Sequence, residues 1–336
     1  MNKKTPVVLK RMIFISLSFL LLLAGAMLIG LSMGSTKGGF KAIWEFVVSG
    51  SADDSVLNAI IWQIRFPRVL VAALVGATLS VGGLIFQAIL KNPLAEPYIL
   101  GISGGSAIGA IIGILIGLSR FPGINIIAFS GSIVTLLLIL VMSSGKSTLI
   151  KDSLLLSGVM VNAFCSAVIM FLISLTQDFR LHNIMFWLMG DLSSSDLYQA
   201  KILMLMLFPC FILIFLYSNT MNLLLLGNEL AITMGVNIKA VTMTLLVVTT
   251  FMVSAIVSQC GLIGFVGLVT PHLLRLLLGS DHRILVPACI LGGSTYMVIC
   301  DLLARILPAH GEMPVGVITA MIGAPIFIIL LKKTKT

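Results

Sequence analysis

G-I-S-G-G-S-A-I-G-A-I-I-G-I-L-I-G, residues 101–117, contains no charge, no proline and no aromatic ring. Its spacing of four places Gly101, Gly105, Gly109, Gly113 and Gly117 as a stripe down one helix face. In a water-soluble helix each glycine would cost about 1 kcal/mol relative to alanine. In lipid the same stripe is useful, because small residues let a second backbone approach closely and dispersion then holds the pair together. The stretch therefore reads as a membrane helix packed against a neighbour along its glycines. A dinucleotide-binding loop is excluded, since no strand precedes it and the helix that follows is apolar on all sides.

The whole chain matches this segment. Of 336 residues, 59% are hydrophobic and 10% charged, whereas charge runs near 25% in soluble domains. A soluble domain is excluded. Apolar runs bounded by Gly, Pro or charge fall at 12–33, 67–90, 98–118, 122–143, 153–176, 197–217, 240–259, 262–279, 284–307 and 314–331. Each approaches the roughly 20 residues that a bilayer requires, so the expected fold is all-α, a polytopic membrane protein of about ten transmembrane helices filling one domain, 1–336. An even count puts both termini on one side. Threading the chain that way leaves 13 of its 21 Lys and Arg on the side of the basic ends, which makes both termini cytoplasmic.

Several functions fall away on the same ground. The net charge of +9 consists mainly of membrane anchors, so nucleic acid is not an expected partner and the lipid bilayer is. The five cysteines sit singly in apolar runs without C-x-x-C spacing, and neither a metal site nor a disulfide framework is expected. S-S-G-K-S-T at 143–148 ends like a phosphate-binding loop, but Leu140 stands where the pattern needs its first glycine, so no ATP site is expected in this chain. Residues 12–33 read as a retained first helix, being long for a signal peptide and lacking an A-x-A cleavage site.

A few polar residues fit a plain bundle less well. Arg65 and Arg68 flank Pro67 at the outer start of the second span. They read either as snorkelling anchors or as a positive surface for an acidic external partner. Asp301 and Arg305 are four apart and can pair within one helix. The polar connection 227–239 reads as two small helices on the cytoplasmic surface, with Asn228 capping the first up to Met234, Gly235 ending it, and 236–239 opening the second. A solvated loop is the alternative there. His272 and His282 lie beside helix breaks and read as structural.

The strings R-F-P-R (65–68), K-N-P-L-A-E-P-Y-I-L-G-I-S-G-G (91–105), G-N-E-L-A-I-T-M-G (227–235), G-F-V-G-L-V-T-P-H-L-L-R (264–275), G-S-D-H-R (279–283) and E-M-P-V-G-V-I-T-A-M-I-G-A-P-I-F (312–327) occur in this order. Together they resemble the FecCD family, the membrane permeases of ATP-binding-cassette importers for iron-siderophores, haem and cobalamin. The resemblance implies an inverted repeat and a second permease subunit, identical or homologous. It implies two ATP-binding subunits that hold ATP and Mg, and an external substrate-binding protein. It assigns ATPase coupling to Gly227, Asn228, Glu229, Met234 and Gly235, binding-protein docking to Arg65, Arg68 and Arg305, and a cytoplasmic gate to Lys151, Asp152 and Ser153, where the identities follow no family motif. Iron-siderophore is the leading cargo, with haem, cobalamin or an oxyanion such as molybdate as alternatives. An ion-coupled secondary carrier is more remote, since Asp301 is the one acid well inside a span and has a partner beside it. An intramembrane enzyme would need a nucleophile–base pair that the sequence lacks.

Overall fold

The computed structural model describes residues 5–33, 59–143, 150–176, 178–308 and 311–334. Among these, helices and turns make up the chain and no strand occurs. In chain order the helices are α1 Thr5–Ser32, α2 Phe66–Leu90, α3 Ile102–Leu115, α4 Asn125–Ser143, α5 Ile150–Ser174, α6 Asp178–Leu188, α7 Leu197–Leu216, α8 Ser218–Leu225, α9 Asn228–Thr233, α10 Ile238–Cys260, α11 Val266–Leu278, α12 His282–Ile306 and α13 Val315–Thr334. All ten apolar runs are met by a helix, and α6, α8 and α9 are additional short ones. By length and composition seven of the helices can cross a membrane, while α3, α11 and the apolar part of α13 are shorter.

The arrangement has α2 at its centre. Nearly every residue of α2 is buried, because Gly76, Gly82 and Gly83 let neighbouring backbones come close. A Cβ on Gly76 would sit 2.1 Å from the Gly293 carbonyl oxygen of α12, and one on Gly83 would meet the Gly267 carbonyl of α11. The Ser294 hydroxyl adds a 2.7 Å bond to the Ala73 carbonyl across the same α2–α12 contact. α1 lies at the periphery against α12 and turns Phe14, Leu17, Leu21 and Leu28 outward, the surface that lipid covers.

Local chemistry sets the helix boundaries. Asp196, Asn237 and Asp281 cap α7, α10 and α12 by accepting from Gln199 N, Ala240 N and Arg283 N at 2.7, 3.1 and 3.0 Å, each satisfying a donor that the first helical turn leaves unpaired. Long-range contacts also sort by side. Arg11 donates to the Leu278 carbonyl at 2.9 Å, Lys91 to Asn228 at 3.4 Å and Asn222 to Asp281 at 2.7 Å, all residues assigned to the cytoplasm. Arg65 donates to the Leu31 carbonyl and Arg120 to the Asp191 carboxylate, both at 2.9 Å, all residues assigned outside.

Two of the short helices begin inside the bundle. α3 has 14 residues and α11 has 13, about 21 and 20 Å at 1.5 Å per residue, against a hydrocarbon core of roughly 30 Å. After Leu90 the chain turns back along α2 until the Pro97 ring lies 3.2 Å from where a Gly82 Cβ would be. After Cys260 it turns back likewise, and Gly267 arrives level with Gly83 and Pro97. Such irregular backbone is tolerated at membrane depth only where protein covers it, and here each break covers the other. The arrangement of long helix, re-entrant stretch and short helix thus occurs twice.

Candidate functional site

The outer end is organised around Asp301, which is fully buried on α12. Arg68 Nε on α2 donates to its Oδ1 at 2.8 Å, and Arg305 Nε, one turn along α12, lies 3.1 Å from its Oδ2. Arg68 Nη1 also reaches Glu312 Oε2 at 2.5 Å, and Arg305 Nη1 donates to the Gly30 carbonyl of α1 at 3.1 Å. Arg65 donates to the Leu31 and Ser32 carbonyls at 2.9 and 3.3 Å. Charged groups from α2, α12 and the turn before α13 thus close on one another beneath the end of α1.

This corrects the expected geometry of the three arginines. Arg65, Arg68 and Arg305 are 5%, 4% and 7% exposed, and their guanidiniums are engaged within the chain rather than turned outward. The expected Asp301–Arg305 pair is present, with Arg68 and Glu312 added to it. Proximity explains the burial: α2 and α12 pack closely against each other, and Arg68 reaches Asp301 across that contact. The exposed member of the group is Glu312, whose side chain is 43% accessible.

At mid-depth the two re-entrant stretches are joined by one side chain. The Tyr98 hydroxyl donates to the Ile263 carbonyl at 3.0 Å and accepts from Ile263 N at 3.2 Å. Each partner of this exchange is a group that a broken helix leaves unpaired. Glu96, beside it, is half-buried.

At the cytoplasmic end, Gly227 at φ +117 opens α9, and Gly235 at φ +82 closes it. Asn228 is the first residue of α9 rather than its cap, and 236–237 lead straight into α10, so the second small helix of the knob is α8, before α9, instead of 236–239. Ala231 is buried beneath α9, whereas Glu229 is exposed. Leu226, Leu230, Ile232 and Met234 are 61%, 55%, 61% and 61% exposed. Beside them, Asp281 anchors α8 to α12: Asn222 donates to it, and the His282 backbone N–H donates to Asn222 Oδ1 at 2.8 Å. The second half of that exchange comes from the imidazole Nδ1, 2.9 Å from the same oxygen. His282 is thus structural. His272 packs edge-on to Phe327.

The remaining expected residues divide. Gly105 and Gly109 pack as expected, since a Cβ there would stand 2.4 Å from the Gly131 and Ile127 carbonyl oxygens of α4. Gly113 meets Ile124 more loosely at 3.2 Å, while Gly101 and Gly117 sit at the ends of α3 with φ +65 and +76, where the backbone conformation demands glycine. The Lys151 and Asp152 side chains lie outside the described residues, as do residues 144–148; Ser153 is half-buried near the start of α5. No group of three His, Cys, Asp or Glu able to hold a metal occurs among the described residues. Sequence reasoning missed the Gly76–Gly293 and Gly83–Gly267 contacts, for which the glycine pairs were the available signal. It also missed Tyr98, for which the single sequence offered none.

Comparison with known proteins places this geometry. The model of the FecCD transport family matches residues 20–333. The chain is similar to the vitamin B12 import system permease protein BtuC of Salmonella arizonae, 38% identical over 95% of this chain and 94% of that one. The protein of the same name from Salmonella typhimurium is 40% identical over 82% and 84%. Among solved structures, an inward-facing metal-chelate type ABC transporter superposes with a TM-score of 0.84 at 33% identity, covering 95% of this chain and 99% of the other. PsaBC from Streptococcus pneumoniae, at 19% identity and a TM-score of 0.55 over 86% and 95%, shares the fold.

Proposed function

Since the chain belongs to the FecCD transport family, a multi-pass membrane permease, we propose that it is the translocating subunit of a binding-protein-dependent importer for a metal chelate in the cytoplasmic membrane. The observation that carries this reading is the cytoplasmic knob. Leu226, Leu230, Ile232 and Met234 stand exposed beside polar residues, and apolar side chains grouped on a soluble face mark a protein contact. An ATP-binding subunit seated on α8 and α9 supplies the occupant and the energy, holding the ATP and Mg. A second permease subunit completes the path, and an external binding protein delivers cargo to the outer end. In the conformation described, the Arg65–Arg68–Arg305 group supports that outer face from behind, with Glu312 on the surface.

The cargo in this reading is an iron-siderophore. Cobalamin is the second candidate, favoured by the names of the Salmonella relatives. Proteoliposomes containing the chain, its ATPase and its binding protein should accumulate labelled ferric siderophore with ATP and stop with vanadate. Accumulation of labelled cobalamin instead would reassign the cargo. Vanadate-insensitive uptake by vesicles holding this chain alone would make it a secondary carrier and overturn the reading.

A further inference from the structure

The charged network at Asp301 accounts for the outer ends of α2 and α12, but not for Arg120 and Arg180 on the other half of the outer face. These two arginines, about sixty residues apart in sequence, line one cavity of about 670 Å³ between the end of α3, the start of α4, and α6. Its size is that of a small-molecule site. Its walls combine two elements. One is cationic: Arg120 and Arg180, with the amide of Asn183. The other is aromatic: Phe186 and the buried Trp187, beside Ile114 and Leu118.

The charges are unevenly used. Arg120 holds Asp191 at 2.9 Å. Burial pushes the Asp191 carboxyl up, but bonds from Ser193 and the charge of Arg120 outweigh it and keep the group below the ordinary carboxylate range; Arg120 is thus neutralised in place. Arg180 donates Nη1 to the Leu115 carbonyl and stacks over Phe179 at 5.2 Å, and no carboxylate among the described residues pairs with it. A carbonyl takes one of its five donors and none of its charge. The cavity therefore carries a net positive charge, with a planar donor fork set beside aromatic rings.

We infer that this cavity binds an organic oxyanion, with its carboxylate or phosphate on Arg180 and its apolar or aromatic body against Phe186 and Trp187. A guanidinium is suited to this chemistry because its fork matches a carboxylate or phosphate with two parallel bonds. The anion can come from two sources, a water-soluble carboxylate reaching the outer face or the headgroup of an outer-leaflet lipid. Only the further step, that a soluble occupant is cargo on its way into the path, rests on the importer reading.

Trp187 is a reporter within the site. In a W44F/W62F background it is the sole tryptophan of the three. The full chain in phosphatidylcholine nanodiscs would be titrated in one arm with benzoate, and in the other with phosphatidylglycerol at increasing mole fraction, following Trp187 emission. A saturable change that weakens at least tenfold in Arg180→Gln, which keeps an N–H for the Leu115 carbonyl and loses the charge, is the expected result. Arg180→Lys should fall between. Saturation by benzoate assigns the soluble source, saturation by phosphatidylglycerol alone assigns the lipid, and either upholds the oxyanion site. No saturation with either anion, or equal affinity in Arg180→Gln with an unchanged melting temperature, overturns it. Co-purification of the ATPase with the same variants tests the importer reading separately, since the cavity lies at the opposite end of the bundle.

Discussion

The two ends of the bundle reverse the usual placement of residue types. At the outer end, Arg65, Arg68, Asp301 and Arg305 are buried, while at the cytoplasmic end Leu226, Leu230, Ile232 and Met234 are exposed. Each departure has its own physical reason. Buried charges are tolerated when paired, and here Asp301 receives two guanidiniums from different helices, so the outer end fixes helix positions. Exposed apolar groups are tolerated when another protein covers them, so the cytoplasmic end waits for a partner. One end is built for rigidity and the other for contact.

The sharpest way to break this contrast is at Asp301. Asp301→Ala leaves Arg68 and Arg305 buried and short of a counter-charge, and removing one partner of a buried pair costs about 3–5 kcal/mol. A large drop in the thermal midpoint of the detergent-purified chain is expected. A midpoint within one or two degrees of the parent would mean that the network is not structural. The half-exposed Glu312 supplies the internal control: Glu312→Gln should shift the midpoint far less, because solvent can take over its role.

Between the two ends lies the Tyr98 tie, and its loss is the next effect in size. Tyr98→Phe keeps the ring and leaves Ile263 N and O without their partner at mid-depth, a cost of about 1–3 kcal/mol. If the tie also couples the ends, the variant should retain ATPase binding and lose ATP-driven uptake. Unaltered stability and uptake would reduce Tyr98 to a packing residue.

How much of this was legible in the sequence follows from the range of the interactions. The helices that meet the ten apolar runs were legible because each run is local, whereas the re-entrant course of the chain before α3 and α11 was not, since it depends on the distant contacts of Pro97 and Gly267 with α2. α6 was not, since Arg180 and His182 interrupt its apolar pattern and its 11 residues are too few to cross a bilayer. The burial of Arg68 was also hidden. Its partner Asp301 is 233 residues away, and an arginine at a helix mouth reads as exposed until the opposite carboxylate is located. The cytoplasmic knob was legible as a place but not in detail, because α8 continues an apolar helix and only Tyr217, where α7 ends and α8 starts, separates them.

The cytoplasmic contrast is tested by placing charge where the exposed apolar groups stand. Leu230→Asp with Met234→Asp touches no buried contact, so the thermal midpoint should stay within about a degree. Co-purification with the ATP-binding subunit should fall at least tenfold, as when central apolar anchors of an interface are removed. Retained binding would assign the knob to some other role.

The smallest expected effect concerns what holds that knob in place. The Asp281 carboxyl is held down at about 2, first by the hydrogen bond from Arg283, with burial opposing and Asn222 assisting. A folded-state value below that of the unfolded chain, near 3.9 for aspartate, makes the group stabilising above about pH 4. That contribution is lost as pH falls from there toward 2. Because Asp281 is partly exposed, solvent screening keeps the contribution small, in contrast to the buried network at the outer end. Melting curves of the parent and Asp281→Asn should therefore differ at pH 6 and converge toward pH 2.5. Parallel curves for Asp281→Asn would show that Asn222 and the α8–α12 packing hold the knob without the charge, and the two ends would then differ in kind rather than in degree.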